Sequence, residues 1–208
     1  MIFEVDTGGN DKQILGIQAA RSLSKEFASV CNCIIIISEA NAVVEFGMDC
    51  SREKFIFVDE LNENELIELI GQNGMMLNQD EIKEVIDNIG SNPATLKDLR
   101  THLQNGVSVA NFIKKVLSDA TQQLVAFQHQ QILKALKDHP EGISPEFFNK
   151  LENEGVDLSY PRAVRAAMRD GNVITYRIEL GKYMIYSKAI EVALRSYDPI
   201  LPPTQWSH

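Results

Sequence analysis

Apolar residues in the first seventy positions form two alternating patterns. Met1–Val5 and Cys33–Ile37 are short continuous apolar runs, and Phe55–Val58 is a third. Between them Ile14, Leu15, Ile17, Ala20, Leu23 and Phe27 recur three or four apart, the spacing of one helix face. A polar Gly-Gly-Asn-Asp turn within Thr7–Asp11 separates the first run from that helix. The run at Cys33–Ile37 has the composition of a strand covered on both faces. Strand, helix and strand at this spacing predict a parallel sheet with right-handed crossovers.

The pattern then becomes helical. Asn62 opens a helix, and Glu65 three residues on completes a capping box, in which side chain and backbone cap each other reciprocally. Asn78 with Glu81 repeats the signature. Gly90 closes that helix, Asn92 caps the next with Pro93 at its first position, and Ser108 caps a third. From Gln122 a long helix carrying Leu124, Ile132, Leu133 and Leu136 is predicted to end near His139-Pro140. Ser144-Pro145 and Ser159-Tyr160-Pro161 open two more helices. Val173–Glu179 and Tyr183–Ser187 flank Leu180-Gly181-Lys182 as a hairpin. Three helices followed by a hairpin is the winged-helix order. The tail from Asp198 holds Pro199, Pro202 and Pro203 and reads as extended.

Charge divides the chain. Residues 1–100 carry 8 basic and 18 acidic side chains, a balance of −10, whereas residues 101–208 carry 12 and 11. Two modules with different neighbours follow from that asymmetry. No apolar run approaches the roughly 20 residues that span a bilayer, and residues 1–30 lack the order of a signal peptide. The chain's 3 cysteines include Cys31 and Cys33 with no second pair, which points to a reducing compartment, cytoplasmic or nuclear.

Four segments carry candidate chemistry. Met1-Ile-Phe-Glu-Val-Asp6 is an apolar strand with acids at its tip, Glu4 and Asp6. Cys33-Ile-Ile-Ile-Ile-Ser38-Glu39-Ala40-Asn41 is an apolar strand with a polar tip. Ser51-Arg52 precedes an aromatic pair, and Gly90-Ser91-Asn92-Pro93 joins two helices. In this order they resemble the Walker B strand, the sensor-1 strand, the Ser-Arg element and, with one extra residue, the Gly-x-Pro lid motif. The chain is thus similar to the C-terminal part of a P-loop ATPase of the AAA+/STAND superclass. That group includes archaeal-type ATPases and the ATPase domains of Crinkler-like and retrotransposon-hot-spot proteins.

The resemblance implies a fold and a site. The fold is α/β: a partial P-loop-type parallel sheet over residues 1–71, a helical lid over 72–121, a C-terminal winged helix over 122–197 and a Pro-rich tail. Glu4 and Asp6 would hold Mg²⁺ through water, while Ser38 and Arg52 would act on the γ-phosphate. Asn41, Asn92 and Pro93 would touch the nucleotide. No G-x-x-x-x-G-K-[ST] loop is present, so ATP and Mg²⁺ would bind only once a missing N-terminal ATPase segment or another protein supplies it. Such a chain would serve as a nucleotide-sensing or assembly module, in a homo-oligomer or hetero-complex. Local structure alone also explains each motif; a helix–helix turn accounts for Gly90 and Pro93 without a ligand.

The back half offers an alternative. Arg162, Arg165 and Arg169 fall at i, i+3 and i+7 on one helix face, and Lys182 lies at the hairpin turn. This arrangement suits DNA phosphates or an intramolecular dock on the acidic front half, and a winged-helix nucleic-acid-binding protein with a degenerate ATPase remnant is the second reading. A protein-interaction scaffold is the third.

Overall fold

The computed structural model describes residues 2–4, 12–27, 30–32, 34–36, 60–147, 173–177 and 179–199. In chain order these form β1 (Ile2–Glu4), α1 (Lys12–Phe27), β2 (Ile34–Ile36), α2 (Glu63–Gln72), α3 (Gln79–Ile89) and α4 (Pro93–Gln104). There follow α5 (Val109–Ala126), α6 (Gln130–Asp138), β3 (Ile174–Arg177), β4 (Lys182–Ile185) and α7 (Lys188–Ser196).

Among the described residues the expected partial P-loop sheet is not formed, and the third strand expected at Phe55–Val58 lies outside them. The chain is mostly helical. β1 and β2 pair in parallel over three residues, from Ile2 opposite Ile34 to Glu4 opposite Ile36. β3 and β4 form a separate antiparallel pair, and the two pairs belong to different sheets. A P-loop sheet needs strands buried on both faces, yet Ile34 is 56% exposed. Ile34, within the apolar run from Cys33, met the compositional requirement for such a strand without receiving the cover. The fold class drawn from the resemblance is therefore corrected to a predominantly helical protein with two small sheets among the described residues.

Helix starts follow local chemistry closely. Asn62 caps α2 by accepting from the amides of Asn64 and Glu65, while Glu65 accepts from the Asn62 amide. Asn78 and Glu81 make the same box at α3. Leu61 and Leu77, each just ahead of its cap, pack against the core with Leu66 and Ile82 four positions inside the helix. This is the hydrophobic staple that sets the entry angle of a helix.

One apolar core runs from Leu66 to Leu194. α7 supplies Ala189, Ile190, Ala193 and Leu194 and packs against α5 and α3; α3 in turn packs against α5. Leu66, Leu99, Leu124, Ile132 and Leu133 are fully buried, each contributing about 1.5–3 kcal/mol of burial. Position 121 lies inside α5, which continues to Ala126. The long helix expected from Gln122 to His139 is instead broken at Phe127–His129. Phe127 turns its ring into the core, and the Gln130 side chain donates to the carbonyls of Leu124 and Phe127. Tyr197 donates its hydroxyl to Gln130 Oε1 at 3.0 Å, so the segment after α7 fastens the same break. No helix among the described residues is long and apolar enough to cross a membrane.

Candidate functional site

The corner between α3 and α4 is built by a segment that the motif does not contain. Gly90 ends α3 at φ 76°, ψ −170°, a conformation strained for any residue with a side chain. Its amide donates to the Val85 carbonyl at 3.0 Å. The next amide, of buried Ser91, donates to Glu60 Oε2 at 3.0 Å, and the Ser91 hydroxyl donates to the Leu61 carbonyl. A Cβ on Gly90 would lie 2.8 Å from the Glu60 carboxyl carbon. Three consecutive residues thus hold the chain as it enters α2: Glu60 and Leu61 on the corner, and Asn62 as the cap.

Asn92 and Pro93 serve the same corner. The Asn92 side chain accepts from the Ala94 amide at 2.9 Å, and Pro93 occupies the first turn of α4, where its missing N–H costs nothing. The Asn92 side-chain oxygen accepts from its own helix, and the Glu60 carboxylate covers Gly90.

The remaining assigned residues are dispersed. Glu4 ends β1, its backbone opposite Ile36. Asp6, Ser38, Asn41 and Arg52 lie outside the described residues, as do Arg162, Arg165 and Arg169. Lys182 is the first residue of β4, opposite Arg177, rather than the tip of the turn. Its ammonium donates to the Glu141 carbonyl at 3.4 Å. The Glu141 carboxyl is held below its ordinary value first by a backbone N–H, then by His139 and Lys182. Among the described residues no group of three His, Cys, Asp or Glu side chains is placed to hold a metal ion. Lys134 and Lys137 border a cleft with Asp198 and Pro199, but Lys134 pairs with Asp138 and Lys137 with Asp198, which leaves little net charge there.

The surface around the corner is strongly one-signed. Residues 60–90 carry eight carboxylates (Glu60, Glu63, Glu65, Glu68, Asp80, Glu81, Glu84 and Asp87) against Lys83. All but Glu81 are exposed. On α3, Asp80, Glu84 and Asp87 stand at i, i+4 and i+7, away from buried Ile82, Val85 and Ile89. Like charges at that spacing weaken a helix, and the last turn of α3 carries no basic residue to favour its dipole. Asp80, in the first turn, favours the dipole, whereas Glu84 and Asp87 further along do not.

Sequence reasoning missed Glu60 and Ser91. Ser91 is a small residue inside a recognised turn, but its partner lies thirty-one positions upstream, and no periodicity links the two. Comparison with known proteins found no matching family model, no matching curated protein and no matching solved structure.

Proposed function

We propose that this chain is a protein-interaction module of the cytoplasm or nucleus that receives a basic segment of its partner on the acidic exposed sides of α2 and α3. The observation that carries this reading is the exposed stripe Asp80–Glu84–Asp87, in which Glu84 has a like charge four positions before and three after it and Asp87 sits in the last turn, where the helix dipole disfavours a carboxylate. A one-signed surface steers oppositely charged partners and rejects like-charged ones.

The test is fluorescence anisotropy with a labelled Lys/Arg-rich peptide at several salt concentrations. Binding should weaken as salt rises, because exposed charges are screened. Reversing Glu68, Asp80, Glu84 and Asp87 to Lys together should reduce affinity by at least about tenfold, a modest loss for four exposed charges. Unchanged binding after the reversal would reject the reading. Calorimetric binding of Mg·ATP would favour the nucleotide-sensing alternative instead. Salt-dependent binding of a duplex, lost when Arg162, Arg165 and Arg169 become Ala, would favour the nucleic-acid one.

A further inference from the structure

The Gly90-Ser91-Asn92-Pro93 corner is occupied by the chain itself, and the manner of occupation is informative. Most helix–helix corners satisfy their backbone groups locally. Here the amide after Gly90 is satisfied by a side chain from ahead of α2. Glu60 is an exposed residue, yet its carboxylate reaches an amide whose own residue is 2% exposed. The contact therefore has one end in the buried body and the other on a surface segment. Gly90 leaves the space that the carboxylate fills.

We propose that Glu60 is a conformational latch, a carboxylate plug that docks the strap Glu60–Asn62 on the α3–α4 corner and so couples the path of the chain into α2 to the position of α4. The latch is separable from the core. The apolar side chains of α2, α3 and α4 meet in one continuous cluster, to which the Glu60 carboxylate does not belong. The Asn62 cap and the Glu65 return bond lie within α2 itself. Release of Glu60 thus loosens the start of the strap, which the Ser91 hydroxyl still ties at the Leu61 carbonyl, and leaves the α2 cap intact. The glycine is required by the plug as well as by the backbone angle, which gives the motif a purpose that a plain turn would not have.

Amide hydrogen exchange on the full chain, compared with thermal melting, tests the latch. Glu60→Ala should speed exchange of the Ser91 amide about ten- to a hundredfold, the range for losing a charge-assisted hydrogen bond. The melting midpoint should fall by no more than about 10 °C, which is that same loss in a chain of this size. Glu60→Gln keeps a carbonyl acceptor and should restore part of the protection. Ser91→Ala removes only the second tie and should loosen the strap less than Glu60→Ala. Unchanged Ser91 exchange in Glu60→Ala would overturn the proposal. So would a fall in melting of more than about 10 °C, which would make Glu60 part of the folded core instead.

Discussion

Two corners of this molecule are written in nearly the same chemistry and behave differently. Both follow a helix and carry a glycine at positive φ, Gly90 at 76° and Gly106 at 77°. Both are followed by a capped helix, with Asn92 or Ser108 as the cap. At the α4–α5 corner the bonds are local. Gly106 donates to Leu103 and Val107 to His102, which is the Schellman arrangement that closes a helix on itself. Nothing lies within 4 Å of a Cβ on Gly106. At the α3–α4 corner the amide after the glycine goes instead to Glu60, and Gly90 and Ser91 are buried. One corner is a self-contained turn; the other is a socket for a distant segment.

The largest expected difference comes from the glycines. Gly90→Ala must adopt a glycine-only backbone and also displace Glu60, so it should cost about 2–4 kcal/mol. Gly106→Ala meets open space and carries only the penalty of positive φ, about 1 kcal/mol. Urea unfolding of the two variants measures the gap, and equal costs would mean that the socket contributes nothing.

The caps sharpen the comparison from the other side. Asn92→Ala and Ser108→Ala should each cost about 1 kcal/mol, because each removes one bond to its own helix. A far larger loss at Asn92, seen in the same unfolding assay, would show that the buried corner depends on its cap as well as on Glu60.

The smallest effect concerns α7, whose ion pairs are as local as the α4–α5 turn. Burial raises the Glu191 carboxyl, but hydrogen bonds from Arg195 and Lys188, with their charges, outweigh it and hold the group below its ordinary value of 4.5. The resulting stability is fully present above pH 4.5 and is lost as pH falls through the lowered value. Because more than a third of the Glu191 side chain is open to solvent, Glu191→Gln should flatten the acid limb of the stability profile by no more than about half a kcal/mol. A profile that stays as steep in the variant would assign the acid sensitivity elsewhere.

Much of the fold was legible wherever its cause lies within a few residues. The caps at Asn62, Asn78, Asn92 and Ser108 appear where expected. So does the hairpin turn through Leu180-Gly181. The sheet was misread because a continuous apolar run states that a segment can be buried, and says nothing of whether two layers arrive to bury it; Ile34 remains half open. The candidate site was partly legible in the same sense. Gly90, Asn92 and Pro93 stood out, while Glu60, which fills the space beside Gly90, did not.

By itself, then, the amino-acid order determined where the capped helices α2 to α5 begin, because capping, staples and turn angles act over about four residues. It also determined which stripe of each helix is apolar and the acidic character of residues 60–90. Only the tertiary structure decided that α5 runs past position 121 and breaks at Phe127, and that α7 returns to cover α5 and α3. It alone joined Glu60 to Ser91, a contact thirty-one residues apart. Such contacts depend on packing of the whole chain, and local spacing does not specify them.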